Sequence, residues 1–264
     1  MNKSKCLLMR LALIIGFIAQ CVLLQASTLI DGLYYDLDMS TRTATVTYEK
    51  EGTGNYASLP ANVKIPESIE YNGVTYSVTK IANRAFANCQ SLESISIPGT
   101  VVQIGETYYD IDSGGSLPFY NCTTLKNVRF EDGTKELVLG VNHSKYTNVT
   151  GTGIFSYCPL EEVYIGRNIS YSKVTFEEDP NLCAYSTFYN QTKLTKAVIS
   201  SSVTEIPVYL FYGCSALSNV SISDRLVKIP AHSFDGCNLS ALTLPNSIEE
   251  INEYAFRNNV FRPL

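Results

Sequence analysis

The sequence predicts an α/β repeat solenoid, a right-handed stack with a parallel concave sheet and an N-terminal β cap. Three observations predict it. A phenylalanine recurs seven times in one local context, at Phe86, Phe119, Phe155, Phe188, Phe211, Phe234 and Phe256, with spacings of 33, 36, 33, 23, 23 and 22 residues. Five of the seven are followed three residues later by cysteine, at Cys89, Cys122, Cys158, Cys214 and Cys237. Each unit then runs into the same alternation of apolar and polar residues, plainest in Leu92 to Ile97. A unit of about 23 residues, some copies carrying insertions, is the mark of stacked repeats. One unit has too few apolar residues to offset the entropy of ordering its own backbone, so neighbours must share a core.

The chain begins with a segment that reads as a secretory signal, residues 1–26. Lys3, Lys5 and Arg10 form a basic start, Leu11 to Leu24 is apolar, and cleavage is expected after Ala26. The apolar run is shorter than the ~20 residues a membrane span needs, so no span is expected in the mature chain. A lipid anchor at Cys21 is the alternative, weakened by Gln20 before it and by apolar Val22 to Leu24 after it. Residues 27–80 read as the N-terminal cap. Leu33 to Leu37 and Thr43 to Tyr48 form one hairpin, and Val63 to Ile69 and Val74 to Ile81 a second, around Tyr71-Asn72-Gly73.

Residues 81–264 read as the repeats, with a short C-terminal cap after Phe256. The segment Ala82 to Cys89 reads as one helical turn with a buried edge. The strand segments are Leu92 to Ile97, Leu125 to Phe130, Leu160 to Ile165, Leu194 to Ile199, Leu217 to Ile222 and Leu239 to Leu244. Their constant phase predicts about six parallel strands, with Ile95, Val128, Val163 and Val220 in one column. Pro98, Pro245 or the serines at 200–202 end the strands, and Val102 and Ile104 point inward from the return leg. Three stretches read as insertions: Glu106 to Leu117, Glu131 to Gly153 and Gly166 to Ser186.

The plainest copy, Ile81 to Pro98, reads IANRAFANCQSLESISIP. It resembles the BspA-like class of leucine-rich repeats, a family of bacterial surface and secreted proteins, and the resemblance covers Ile81 to Phe256. It implies a repeat stack and, broadly, adhesion or binding of host proteins. Gln191 departs from the pattern, standing where cysteine is expected.

The formal charge is -5 and no polybasic run follows the leader, which disfavours nucleic acid. The five repeat cysteines share one inward register and read as buried thiols, although stacked neighbours would come within disulfide range. The cysteines lack the close C-x-x-C pairs of a zinc site, and Asp110 to Gly114 only begins like a calcium loop, so neither metal nor cofactor is expected. The two histidines, His143 and His232, have no nucleophile beside them in the repeat register, so no catalysis is expected. The carboxylate pair Glu161-Glu162 reads as solvated charge.

Function then rests with the outward strand positions and the insertions. Arg129, Tyr164 and Lys196 carry charge and an aromatic onto the central strands, with Glu162 opposing Lys196. Tyr108 and Tyr109 would reach over from the first insertion. Arginine and tyrosine are the residue types that anchor interfaces. These six residues predict binding of an extracellular protein by a secreted or cell-surface chain. A glycan is the alternative ligand, disfavoured by the absence of tryptophan among 18 tyrosines and 11 phenylalanines.

Overall fold

The computed structural model describes residues 27–50, 56, 59–105, 117–140, 153–171 and 186–261. The expected signal segment, Cys21, Tyr108, Tyr109, His143 and Asp110 to Gly114 lie outside them. In chain order the strands are β1 (Thr28–Ile30), β2 (Leu33–Asp38), β3 (Thr43–Thr47), β4 (Asn62–Lys64), β5 (Ser68–Tyr71), β6 (Val74–Ile81), β7 (Ser94–Ile97) and β8 (Gln103–Ile104). There follow β9 (Asn127–Phe130), β10 (Leu137–Leu139), β11 (Glu162–Ile165), β12 (Ile169–Tyr171), β13 (Lys196–Ile199), β14 (Asn219–Ser221), β15 (Lys228–Ile229) and β16 (Glu250–Ile251).

The first expected hairpin forms as read, and the second forms around its expected turn with Ser68–Tyr71, not Val63 to Ile69, as its first arm. β2 and β3 pair antiparallel, and β5 and β6 pair antiparallel with Tyr71 opposite Val74. Asn72 and Gly73 close the second turn at φ 51° and 74°, the left-handed pair that a two-residue hairpin loop requires.

The repeat strands stack in parallel in the order β14-β13-β11-β9-β7-β4. Ile95 pairs with Val128, Val128 with Val163, Val163 with Ala197 and Ala197 with Val220, which is the single column expected. The six members differ from expectation at both ends. Asn62–Lys64, in the stretch read as cap, supplies the first strand by pairing with Ser94–Ser96. Residues 239–244 join no ladder. A second sheet runs down the return leg, β6-β8-β10-β12, and continues into the N-terminal hairpin through β3. β10 and β12 lie in stretches read as insertions, so the added segments begin later than expected. Val101, not Val102, is the buried residue beside Ile104.

The expected helical component is absent. No helix occurs among the described residues, and the segments after each phenylalanine are tight turns. The reason is local. The second residue after each repeat phenylalanine has positive φ: Asn88 60°, Asn121 58°, Tyr157 61°, Asn190 55°, Gly213 74°, Gly236 74° and Asn258 59°. A left-handed residue interrupts any run of helical hydrogen bonds, and asparagine and glycine tolerate it best. The turns close instead with three-residue bonds such as Cys89 N–H to the Phe86 carbonyl at 3.0 Å.

The core is one continuous column. The repeat phenylalanines stack face to face from Phe86 to Phe256, with centroids 5.0–5.7 Å apart, and Tyr56 covers the N-terminal ring at 5.6 Å. Beside them the residue three positions on donates to the phenylalanine carbonyl of the preceding unit. Cys122 Sγ reaches Phe86 O at 3.0 Å, Cys158 reaches Phe119 O at 3.0 Å, Cys214 reaches Phe188 O at 3.1 Å and Cys237 reaches Phe211 O at 3.3 Å. Gln191 Nε2 takes the same role on Phe155 O at 3.0 Å, and Asn259 Nδ2 on Phe234 O at 2.7 Å. What these units share at this position is therefore a hydrogen-bond donor, which explains why glutamine can replace cysteine. All five repeat thiols are buried and free.

Candidate functional site

The strand face carries an open groove of about 530 Å³. Its floor is set by the pleat: Val63, Ile95 and Val128 turn inward, so Asn62, Lys64, Ser94, Ser96, Asn127 and Arg129 turn outward between them. Glu162 and Tyr164 close the groove on the next strand. Three of the predicted residues, Arg129, Glu162 and Tyr164, thus line one depression. Lys196 adjoins it through Glu162, its carboxylate 2.6 Å from Lys196 Nζ.

Arg129 and Tyr164 are direct register partners on β9 and β11. The guanidinium lies over the tyrosine ring, 3.5 Å from its centroid. Asp132, in the turn after β9, organises both. The Tyr164 hydroxyl donates to its two oxygens at 3.0 and 2.9 Å, and Arg129 approaches to 3.7 Å. Ser200 and Ser202, from the turn after β13, donate to the same carboxylate at 2.7 and 3.0 Å. Burial disfavours ionisation of Asp132, but the hydrogen bonds from Ser200, Tyr164 and Ser202 and the charge of Arg129 outweigh it and hold the carboxyl below its usual value. The aromatic–cation pair and the two serines thus converge on one carboxylate.

Charge on this face is paired within the molecule. Lys126 meets Glu161 at 3.0 Å, Lys64 meets Glu131 at 3.5 Å, and Glu131 also accepts from Ser96 at 2.7 Å. Glu161 and Glu162, read from sequence as solvated charge, are each ion-paired across the ladder to the lysine of a neighbouring strand. Such exposed pairs contribute at most ~1 kcal/mol each to stability. Their effect on recognition is larger, because the face presents alternating sign and no block of one charge.

Beneath the same turns lies Arg167, fully buried. Its guanidinium donates to the Pro98 carbonyl at 2.9 Å and to the Gly99 carbonyl at 2.7 Å, and its chain passes 3.4 Å from where a Cβ on Gly133 would stand. Burial lowers its pKa to about 10 against the opposing charge of Glu131. Arg167 ties the turns of three units together and so fixes the height of Asp132.

Sequence reasoning missed Asn62, Lys64, Asp132, Ser200, Ser202 and Arg167. The first two were hidden in the cap reading. The serines and Asp132 sit in strand-ending turns, where register is not legible from alternation. Among the described residues no group of three His, Cys, Asp and Glu side chains could hold a metal. His232 Nδ1 lies 2.8 Å from Asp235 Oδ2, and Asp235 is further held by Arg257 and Asn258. That cluster is a carboxylate tied by three neighbours, with no nucleophile hydrogen-bonded to the imidazole among the described residues. No helix among the described residues is long and apolar enough to cross a membrane.

Comparison with known proteins follows the same lines. A family model described as BspA type leucine rich repeat region matches six copies, over residues 61–182 and 167–261. No curated protein matches the sequence. A leucine-rich repeat protein of known structure from Bacteroides ovatus is 21% identical, over 85% of this chain and 60% of that one, with a TM-score of 0.37. The chain therefore spans about three fifths of that protein's length. A leucine rich cell surface protein from Faecalibacterium prausnitzii is 18% identical over 88% of this chain and 86% of that one, at a TM-score of 0.30. The pneumococcal vaccine antigen PcpA is 16% identical over 89% of this chain and 48% of that one, at 0.37. The repeat type points to a protein-interaction role. With its repeats matched from residue 61 to residue 261, the chain belongs to the BspA-type leucine-rich repeat family.

Proposed function

We propose that this is a secreted or cell-surface protein that binds an extracellular protein, of a host or a neighbouring cell, through its strand face and without catalysis. The observation that carries this is the Arg129–Tyr164 pair, exposed in the groove yet immobilised by Asp132. An aromatic and an arginine already held in one geometry lose little side-chain entropy on binding, which is what an interface anchor requires. Lys196 and Glu162 supply the adjoining paired charge, and Tyr108 and Tyr109, in the first insertion, are proposed to contact the partner as well. The neutral, alternating face suits a partner of mixed charge. The basic start and apolar run of residues 1–26, read as a secretory leader, support the extracellular setting.

The test is a host-matrix protein array with a glycan array beside it, followed by affinity measurement on the Arg129→Ala/Tyr164→Ala double variant. Folding should be unchanged, since neither side chain faces the core. Affinity for the protein found should fall by ~2 kcal/mol or more, about thirtyfold. Unchanged affinity in the folded variant, or binding to glycans alone, would defeat the proposal.

A further inference from the structure

One rung of the turn column is missing. In every other junction of the repeats the residue after the turn phenylalanine's neighbour closes a backbone rung to the next unit. Asn88 N–H reaches Tyr120 O at 2.7 Å, Asn121 reaches Ser156 O at 2.9 Å, Asn190 reaches Tyr212 O at 2.9 Å, Gly213 reaches Asp235 O at 2.8 Å and Gly236 reaches Arg257 O at 2.9 Å. Among the described residues the Tyr157 N–H makes no such rung. At this junction the phenylalanine rings, Phe155 and Phe188, are also furthest apart, at 5.7 Å. It is here that cysteine is replaced by the longer Gln191, whose amide still reaches Phe155 O at 3.0 Å. The longer donor stands where this rung is missing, while the strands of the two units stay fully paired.

Beside this junction lies a second groove, of about 430 Å³, which shares no lining residue with the strand-face groove. Tyr157 and Tyr189 supply aromatic surface, while Asn190, Thr192 and Lys193 supply amide, hydroxyl and ammonium groups. Tyr157 is the outlier. It holds φ 61° where the equivalent positions carry asparagine or glycine, and its side chain is 69% exposed. A bulky aromatic in the left-handed region is strained, and exposure returns no burial energy to offset it. Tyr120 packs edge-on against it at 5.4 Å and steadies the ring. Tyrosine takes the same left-handed conformation at Tyr209 and Tyr254, so the strain belongs to the turns, and it is the exposure of Tyr157 beside the groove that points to a ligand.

We propose that this groove binds a saccharide unit. A pyranose offers one flat face of C–H bonds, which stacks on an aromatic ring, and a rim of hydroxyls that both donate and accept. Tyr157 matches the face, and the surrounding hydroxyls and amides, which also donate and accept, match the rim. The volume is within the range of small-ligand sites. Lys193 adds a positive group that selects among sugars for those bearing a carboxylate. The proposal is independent of the strand-face reading, because the two sites use different residues.

The experiment is saturation-transfer difference NMR on the full chain with the methyl glycosides of glucose, galactose, N-acetylglucosamine and glucuronic acid. Transfer is expected to the ring protons of at least one. The Tyr157→Asn variant should weaken that binding at least tenfold and should melt no lower than the parent, since Asn88, Asn121, Asn190 and Asn258 hold the same φ. The Arg129→Ala/Tyr164→Ala variant should bind the glycoside as the parent does. Absence of transfer to all four glycosides, unaltered binding in Tyr157→Asn, or a lower melting temperature of that variant would each overturn the assignment.

Discussion

At the residue scale, the position three after each phenylalanine is a donor before it is a cysteine. Four thiols, one glutamine and one asparagine perform the same task. This register was legible in the sequence as an inward apolar column. Its chemistry was not, because a thiol looks apolar until the carbonyl it serves is in place. The thiols follow from their surroundings: burial, then the neighbouring Cys237, raises Cys214 well above the ordinary thiol value, and burial, then Asp235, pushes Cys237 up to about 12. Little thiolate forms at these two near neutral pH, the thiolate is the reactive species, and burial shields all five from reagent. Alkylation with iodoacetamide at about pH 8, read by peptide mass spectrometry, should leave Cys89, Cys122, Cys158, Cys214 and Cys237 unmodified in the folded protein and modify all five in denaturant. A bridge between Cys214 and Cys237 in most non-reduced molecules would contradict this.

At the element scale, the strand phase was legible and the turns were not. Alternation tells which side of a strand faces the core, and so it placed Arg129 beside Tyr164. It is silent on the turns, where Asp132 gathers hydroxyls from the turn two strands further on. The same blindness made the segments after each phenylalanine look helical, since left-handed asparagine is invisible to hydrophobic spacing. The Asp132 node has a pH signature. Its folded carboxyl is held below the usual value of 3.8, so the stability it contributes is present above that value and lost as pH falls through the folded one. Asp38 acts in the same window, lowered to about 2 by the Ser40 hydroxyl and the Thr41 backbone N–H. Urea midpoints should therefore fall between about pH 4 and pH 2. Asp132→Asn should make that acid slope shallower without abolishing it, and an unaltered slope would show that the node is not ionised as described.

At the scale of the whole molecule, the repeat count and the parallel stack were legible, and the ends were not. The buried core runs as one cluster from Leu33 in the cap to Ala255 in the last unit. Period reveals the middle of such an array, but the end units are atypical by necessity, because one of their faces has no neighbour. Hence β4 escaped notice and residues 239–244 form no ladder. A continuous column predicts that damage in its centre is felt throughout. Phe188→Ala removes a fully buried ring stacked on Phe155 and Phe211 and should cost ~3–5 kcal/mol. Thermal melts followed by circular dichroism should show one transition moved to lower temperature. A parent-like midpoint would argue that the units are energetically separate.

The donor column also has a direction. Each thiol or amide reaches back to the carbonyl of the unit that precedes it, and none reaches forward. A newly added unit therefore arrives carrying a second donor for its predecessor's phenylalanine carbonyl, which in most units already accepts an N–H from its own turn. At the start Tyr56 provides a ring for the first layer, and at the finish Asn259 also donates to Phe256 O at 3.0 Å and closes the series. Such a stack can be completed vectorially, in the order in which a chain emerges from a ribosome or a membrane pore. At every stage of that emergence only one layer is incomplete.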